Sequence, residues 1–183
     1  MCFNKEDLGL EQNAQDKIVS IYAELGYKIV FTSALEKMGI EDLRKLLDGK
    51  LSALCGNSGV GKSSLVNALN PNVHLRTKEV SEKLNRGTHT TRHCEIVALD
   101  ENSSVVDTPG FSNIKFDFLL PQNVDLLFDE MAEFRKYCKY GDCLHINEDG
   151  CEVLKHLEEI DESRYNSYTE FVAEAIEYKE HVK

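Results

Sequence analysis

The feature that most constrains this chain is Gly56-Asn57-Ser58-Gly59-Val60-Gly61-Lys62-Ser63, which fits G-x-x-x-x-G-K-[ST]. It is preceded by a short apolar run, Leu51–Cys55, read as a buried strand. A helical pattern from Lys62 to Leu69 follows and stops at Asn70-Pro71. A strand, a glycine loop and a helix in that order commit the segment to an α/β phosphate-loop fold. The glycines let backbone N–H groups turn inward around phosphate oxygens while the helix presents its positive end. Lys62 is placed to reach the β- and γ-phosphates, Ser63 to offer its hydroxyl oxygen to Mg²⁺, and Ser64 to sit beside them. A chance glycine turn would have no reason to lie between those two elements.

Asp107-Thr108-Pro109-Gly110 ends a second apolar strand, Ser103–Val106, which is joined to Cys94–Leu99 through Asp100-Glu101-Asn102. At that position an aspartate holds Mg²⁺ through water and a glycine amide, here that of Gly110, meets the γ-phosphate. Between the two motifs, Asn72–Arg92 shows no sustained period and reads as a long functional loop. It contains Gly87-Thr88-His89-Thr90-Thr91-Arg92. Thr90 or Thr91 is the candidate to complete Mg²⁺ coordination and so make the loop nucleotide-sensitive. His89 is the candidate to polarise the attacking water, with a loop histidine facing RNA or solvent as the plain alternative.

Asn4-Lys5-Glu6-Asp7 matches N-K-x-D. A carboxylate at Asp7 accepts from guanine N1–H and the exocyclic amine, whereas adenine offers neither donor and leaves the carboxylate unpaired. The stem of Lys5 can cover the base and Asn4 can tether the surrounding loops. Thr32-Ser33-Ala34 follows an apolar strand at Tyr27–Phe31 and supplies the second half, with the backbone near Ala34 meeting guanine O6. The motifs therefore occur in rotated order, base-reading loops first and phosphate loop afterwards. Such an order is physically acceptable because different chain ends can close the same sheet and the same site.

Beyond Gly110 the texture changes. Val124–Tyr137 and Ser163–Tyr178 read as helices, as do Glu11–Leu25 and Gly39–Leu47 earlier, and the domains are expected at 1–115 and 116–183. Cys138-x4-Cys143-x-His145-x5-Cys151 lies between the two later helices. Three thiolates and one imidazole make the ligand set of a closed, structural Zn²⁺ site. Of the other three cysteines, Cys55 and Cys94 sit in apolar runs and are expected to be buried thiols, while Cys2 stands apart. The net charge of −11 argues against nucleic-acid binding by bulk charge. Locally, however, Val73–His93 carries five basic residues, including Arg76, Lys83 and Arg92, against two acidic ones. No apolar run approaches the roughly 20 residues of a membrane span, and a cytoplasmic, monomeric protein is expected.

A permuted phosphate-loop domain followed by this cluster resembles the RsgA (YjeQ/YloQ) family. The resemblance includes Cys138-Lys139-Tyr140-Gly141-Asp142-Cys143-Leu144-His145, Glu148-Asp149-Gly150-Cys151 and Arg164-Tyr165-Asn166-Ser167-Tyr168, with Asp149 where the family pattern usually has proline. It implies GTP hydrolysis coupled to late maturation of the small ribosomal subunit, with rRNA as a partner and GTP/GDP as ligands. Phe111 follows Gly110 where other GTPases place a water-orienting glutamine, as the family is described, so turnover is expected to be slow alone and faster on the subunit. The family begins with an OB-fold and further core strands, so this chain reads as incomplete at the N-terminus. The strand at Tyr27–Phe31 then has no obvious partner, and independent folding of the first ~50 residues is not expected. The competing expectation is a truncated, non-catalytic nucleotide- or ribosome-binding module. A permuted GTPase of the large subunit (without such a cluster) and an ATPase are further alternatives.

Overall fold

A computed structural model describes residues 1–75, 95–107 and 119–181. The chain divides into two compact units, Met1–Asn113 and Ile114–Lys183, each with its own core.

The first unit opens with β1 (Cys2–Asn4), a single 3₁₀ turn at Glu6–Leu8, and α1 (Gln12–Glu24), which leads to β2 (Val30–Thr32). β1 and β2 pair in parallel, with Cys2 opposite Val30 and Asn4 opposite Thr32. The strand expected to be partnerless is thus paired, and its partner is the stretch that carries the start of N-K-x-D. Three residues at a chain start are too few to show a strand period, which is why this partner escapes notice in the sequence. Phe3 stacks on Phe31 with ring centroids 5.5 Å apart, and Tyr22 of α1 lies 6.4 Å from Phe3. α1 itself buries no residue.

The next helix, α2 (Ile40–Leu47), buries Ile40, Leu43 and Leu47, the i, i+3, i+7 stripe of an amphipathic helix. Gly39 precedes it at φ +65, where a Cβ would stand 2.0 Å from the Phe31 carbonyl oxygen, so no other residue fits there. β3 (Leu51–Leu54), α3 (Lys62–Leu69), β4 (Glu95–Ala98) and β5 (Ser104–Asp107) complete the unit. The second sheet runs β3-β5-β4, with β3 parallel and β4 antiparallel to β5. The Asp100 carboxylate accepts from the Asn102 and Ser103 amides at 2.8 Å and closes the β4–β5 turn. Val30 from the first sheet, Leu43 and Leu47 from α2, Leu65, Val66 and Leu69 from α3, and Val97 and Val105 from the second sheet form one core.

Among the described residues that core covers one face of the second sheet. Along β3 exposure alternates, so Leu51, Ala53 and then Cys55 point to an open face, as does Ile96 of β4. Leu51–Cys55 is therefore not a buried strand, and Cys55 is an exposed thiol rather than a core one. A strand is buried on both faces only where helices cover both, and among the described residues helices cover one. Cys94 lies outside the described residues.

In the second unit, the helix expected over Val124–Tyr137 is a broken series instead. It comprises a 3₁₀ helix at Pro121–Leu127, a further 3₁₀ turn at Asp129–Met131 and the short α4 (Ala132–Arg135). The break is Phe128, whose extended backbone (φ −123, ψ 92) drives its ring into the core against Tyr168 at 5.3 Å and Phe171 at 6.0 Å. Arg164 covers the other side of that ring at 4.7 Å and ion-pairs with Glu130 at 2.7 Å. α5 (Glu152–Lys155) and α6 (Glu162–His181) follow, and α6 buries Tyr168, Val172 and Ala175 on one stripe.

Candidate nucleotide site and metal centre

Asn4 ends β1 and connects three loops. Its Nδ2 donates to the Val60 carbonyl in the phosphate loop at 2.9 Å, and its Oδ1 accepts from the Ala34 amide at 3.1 Å and the Thr32 hydroxyl at 3.2 Å. Lys5 follows at φ +73, a left-handed turn that swings the chain into the 3₁₀ segment carrying Asp7. The Ser33 hydroxyl, wholly buried, donates to Asp7 Oδ1 at 2.5 Å and accepts from the Glu36 amide at 3.0 Å. The carboxylate is thereby oriented while Lys5 and Asp7 stay exposed to solvent. The structure thus brings Asn4, Asp7, Ser33 and Ala34 together with the phosphate loop, although 56 residues separate Asn4 from Val60. Thr32, the first residue of the Thr32-Ser33-Ala34 segment, joins them through its hydroxyl.

The phosphate loop runs from Gly56 to Gly61, with Asn57, Ser58, Gly59 and Val60 exposed along it. The Lys62 ammonium, at the start of α3, donates to the carbonyls of Gly56 at 2.7 Å and Asn57 at 3.0 Å and so lies within the loop's curve. Ser63 and Ser64 follow on the first turn of α3, both half-buried. Asp107, the last residue of β5, is register-paired with Leu54 of β3, two residues before the loop begins, so its backbone stands next to the phosphate site. His89, Thr90, Thr91 and Gly110 lie outside the described residues, as does most of the basic loop.

Gly61 is where the two halves touch. It adopts φ +96, and a Cβ built there would meet Asn4 Nδ2 at 2.3 Å. Gly61→Ala should cost about 1–2 kcal/mol of backbone strain and also push Asn4 out of its tether. Nucleotide affinity measured by fluorescence titration is expected to fall at least about tenfold, the equivalent of 1.4 kcal/mol. An alanine variant that binds as the parent does would show that the contact between the loops is dispensable.

In the second unit, Cys138, Cys143, His145 and Cys151 converge, with all four donor atoms within 4.8 Å of one another. His145 Nδ1 lies 3.2 Å from Cys151 Sγ and 3.6 Å from Cys138 Sγ, and the two sulfurs are 3.9 Å apart. A tetrahedron with ligand distances of about 2.0–2.3 Å has edges of roughly 3.5–3.8 Å, so the donor set has the dimensions of a zinc site. The sulfurs are also prepared for negative charge. The Glu152 amide donates to Cys138 Sγ at 3.3 Å and the Leu154 amide to Cys151 Sγ at 3.4 Å, which makes Cys151 the N-cap of α5. Burial pushes the Cys143 thiol up to about 12, with the neighbouring thiols adding to it, and burial raises Cys151 too. Neighbouring thiolates this close together are held as a group by a cation. These residues fit Zn²⁺.

The ligand loop is held from outside by residues whose role no spacing rule reveals. Burial alone would raise the Glu148 carboxyl, but the Ile146, Leu144 and Asn147 amides donate to it at 2.6–3.1 Å and keep it below the usual range. Tyr168 and Tyr165 of α6 donate their hydroxyls to the Leu144 and His145 carbonyls, each at 2.8 Å. Those bonds fix His145 in its left-handed conformation, φ +51. Within the Arg164–Tyr168 signature, Tyr165 and Tyr168 are thus a clamp on this loop.

These features define an α/β phosphate-loop domain with its Asn4–Asp7 and Thr32–Ala34 loops ahead of the phosphate loop, joined in sequence to a small helical unit with a zinc-type ligand set. The sequence signature of the RsgA GTPase family matches residues 1–117. The chain belongs to that family. It is 42% identical over 176 residues to the small ribosomal subunit biogenesis GTPase RsgA of Alkaliphilus metalliredigens, covering 95% of this chain and 60% of that protein. To the RsgA of Thermotoga petrophila it is 45% identical over 180 residues, covering 96% of this chain and 60% of the relative. Among solved structures it superposes on YjeQ from Thermotoga maritima with a TM-score of 0.77 at 38% identity, covering 96% of this chain and 59% of that one. The circularly permuted GTPase YloQ gives 0.72 at 28% identity, covering 96% and 56%. The chain spans about 60% of the length of the curated relatives it matches.

Proposed function

We propose that this chain binds guanine nucleotide, hydrolyses GTP to GDP and phosphate, and does so in late maturation of the small ribosomal subunit; its relatives are named small ribosomal subunit biogenesis GTPases. The observation that carries the reading is the Asn4 side chain, which joins the guanine-reading loop, the Ala34 loop and the phosphate loop in one site. Asp7 accepts from the base, the Lys5 stem covers it and the Ala34 amide donates to its O6. Backbone amides from Gly56 to Gly61 and the Lys62 ammonium hold the phosphates. Mg²⁺ supplies charge neutralisation at the β- and γ-phosphates, and Ser63 and Asp107 are the residues that would hold it, with Thr90 or Thr91 and the Gly110 amide completing the site. His89 is the candidate for orienting water. Zn²⁺, held by Cys138, Cys143, His145 and Cys151, is structural.

The rRNA partner is supported by a local exception to the acidic charge. Arg135, Lys136 and Lys139 alternate with Tyr137 and Tyr140, which are 69% and 46% exposed. Each lysine ammonium sits about 5 Å over its neighbouring ring, 5.1 Å for Lys136 and 5.0 Å for Lys139. Cations beside exposed aromatic faces suit unpaired bases and their phosphates. A monomer acting in the cytoplasm completes the proposal; among the described residues no helix is long and apolar enough to cross a membrane.

Turnover of GTP by the zinc-loaded chain, alone and with small ribosomal subunits at low and high salt, tests it. Slow hydrolysis alone, stimulation by the subunit and loss of stimulation at high salt are expected, because phosphate contacts weaken with salt. Tight nucleotide binding without turnover in any arm would favour the non-catalytic module instead. Salt-independent subunit binding would remove rRNA phosphate as the main contact.

A further inference from the structure

The histidine of the metal centre has a second neighbour that the ligand spacing does not announce. His145 Nδ1 faces the thiols, and its Nε2 lies 3.2 Å from Asp125 Oδ2. Both side chains are buried, with relative exposures of 2% and 3%. The same Oδ2 receives Arg135 Nε at 2.5 Å, while Asp125 Oδ1 is buried with no hydrogen-bond partner. A buried carboxylate left half-satisfied is costly unless its charge serves something nearby. An imidazole that donates Nε2–H to a carboxylate has its lone pair on Nδ1, the atom that points at the thiols here.

We infer that Asp125 is the positioning residue of the metal centre: it fixes His145 as the tautomer protonated on Nε2, so that Nδ1 is the zinc-binding nitrogen, and Arg135 holds Asp125 in place. The inference rests on the zinc reading above. The 3₁₀ segment Pro121–Leu127 brings Asp125 to the ring from 20 residues away, and Arg135 reaches it from α4. Two stretches that contribute no ligand thereby become part of the metal site. Arg135 is 31% exposed, which leaves part of it at the surface beside Lys136. Its ion pair thus connects the basic edge of the unit to the ring that binds the metal.

The test uses the full zinc-loaded chain with Asp125→Asn, Asp125→Ala and, as a control, Glu130→Gln. Asparagine keeps an acceptor but loses the charge; alanine loses both. Competition against a chromophoric chelator should show zinc affinity lowered on the order of tenfold for Asn and a hundredfold for Ala. Glu130→Gln, which disturbs the half-buried Glu130–Arg164 ion pair, should leave it unchanged. Nitrogen NMR of the ring in the unaltered protein should find Nε2 protonated and Nδ1 coordinated, a signature that a purely structural ion pair does not require. Coordination through Nε2, or parental zinc affinity in both variants, overturns the role of Asp125 while the zinc centre stands. A parent chain that takes up no zinc would instead sink the metal reading itself. Should the alanine variant fail to fold, the tautomer in the unaltered protein decides alone.

Discussion

Stripping the metal from the proposed zinc centre is expected to unfold residues 114–183 while the core of Met1–Asn113 persists. The second unit has only 70 residues, a size at which a single core rarely supplies more than about 3–5 kcal/mol. Structural zinc contributes an apparent 10–16 kcal/mol or so in small metal domains at neutral pH. The difference exceeds anything the remaining contacts can offset, because the metal loop forms part of the core. Cys143 and Cys151 are buried alongside Val124, Phe128 and Tyr168, and the clamp from Tyr165 and Tyr168 closes on the same loop. Chelator titration followed by circular dichroism should therefore lose the helix signal of α6 and the near-ultraviolet signal of the buried tyrosine together. pH gives the sign independently. In the metal-free fold the Cys143 thiol is raised from an ordinary 9.0 to about 12, so the folded state holds that proton more tightly than the unfolded one. Whatever stability remains without metal is then fully present below pH 9 and drains away between pH 9 and about 12. Zinc affinity moves the other way, weakening as pH falls because protons compete for the thiols. A chelated chain that keeps α6 intact at neutral pH would end the structural-zinc account.

The uneven legibility of this chain has physical reasons. The phosphate loop and α3 are plain in sequence because glycine turns, a lysine and a helix start are local demands; α3 spans Lys62–Leu69 as its periodicity expects. The Cys/His set that fits zinc is legible for the same reason, since a metal imposes spacing. Burial is different, because it depends on what covers a face. Leu51–Cys55 has the composition of a buried strand, yet Leu51 is 67% exposed, since among the described residues one side of its sheet is packed. Pairing across the fold is equally non-local, so the partner of Val30–Thr32 at Cys2–Asn4 could not be found from a three-residue segment. Phe128 broke a helix that periodicity favoured, because filling the space beside Tyr168 required an extended residue there. Asp125 carries no motif at all; it becomes visible only when the 3₁₀ turn lays it on His145.

Asp7→Asn should convert a guanine-selective site into one that barely distinguishes bases, and it should do so without harming the fold. Asp7 is exposed, and an asparagine oxygen can still accept the Ser33 hydroxyl that now holds Oδ1 at 2.5 Å. What changes is the charge and one acceptor facing the base. Two hydrogen bonds from guanine N1–H and its amine to a carboxylate are worth roughly 1.5–3 kcal/mol each, because the acceptor is ionised. Losing one outright and the charge assistance on the other is about 2.5–4.5 kcal/mol, or roughly 10²–10³-fold in affinity for GTP and GDP. ATP never made those bonds, so its weak binding through the phosphate loop should be unchanged, and the GTP-over-ATP ratio should collapse by the same factor. Xanthosine triphosphate provides the converse arm, since its C2 carbonyl meets the asparagine amide as a donor and would face the parent carboxylate as a like-natured acceptor. It should gain where GTP loses. Calorimetric titration of the three nucleotides on the folded variant and parent reads all of this at once. If the parent already binds ATP as tightly as GTP, or the variant holds GTP undiminished, then Asn4-Lys5-Glu6-Asp7 is not what reads the base, and the guanine assignment loses its chemical footing.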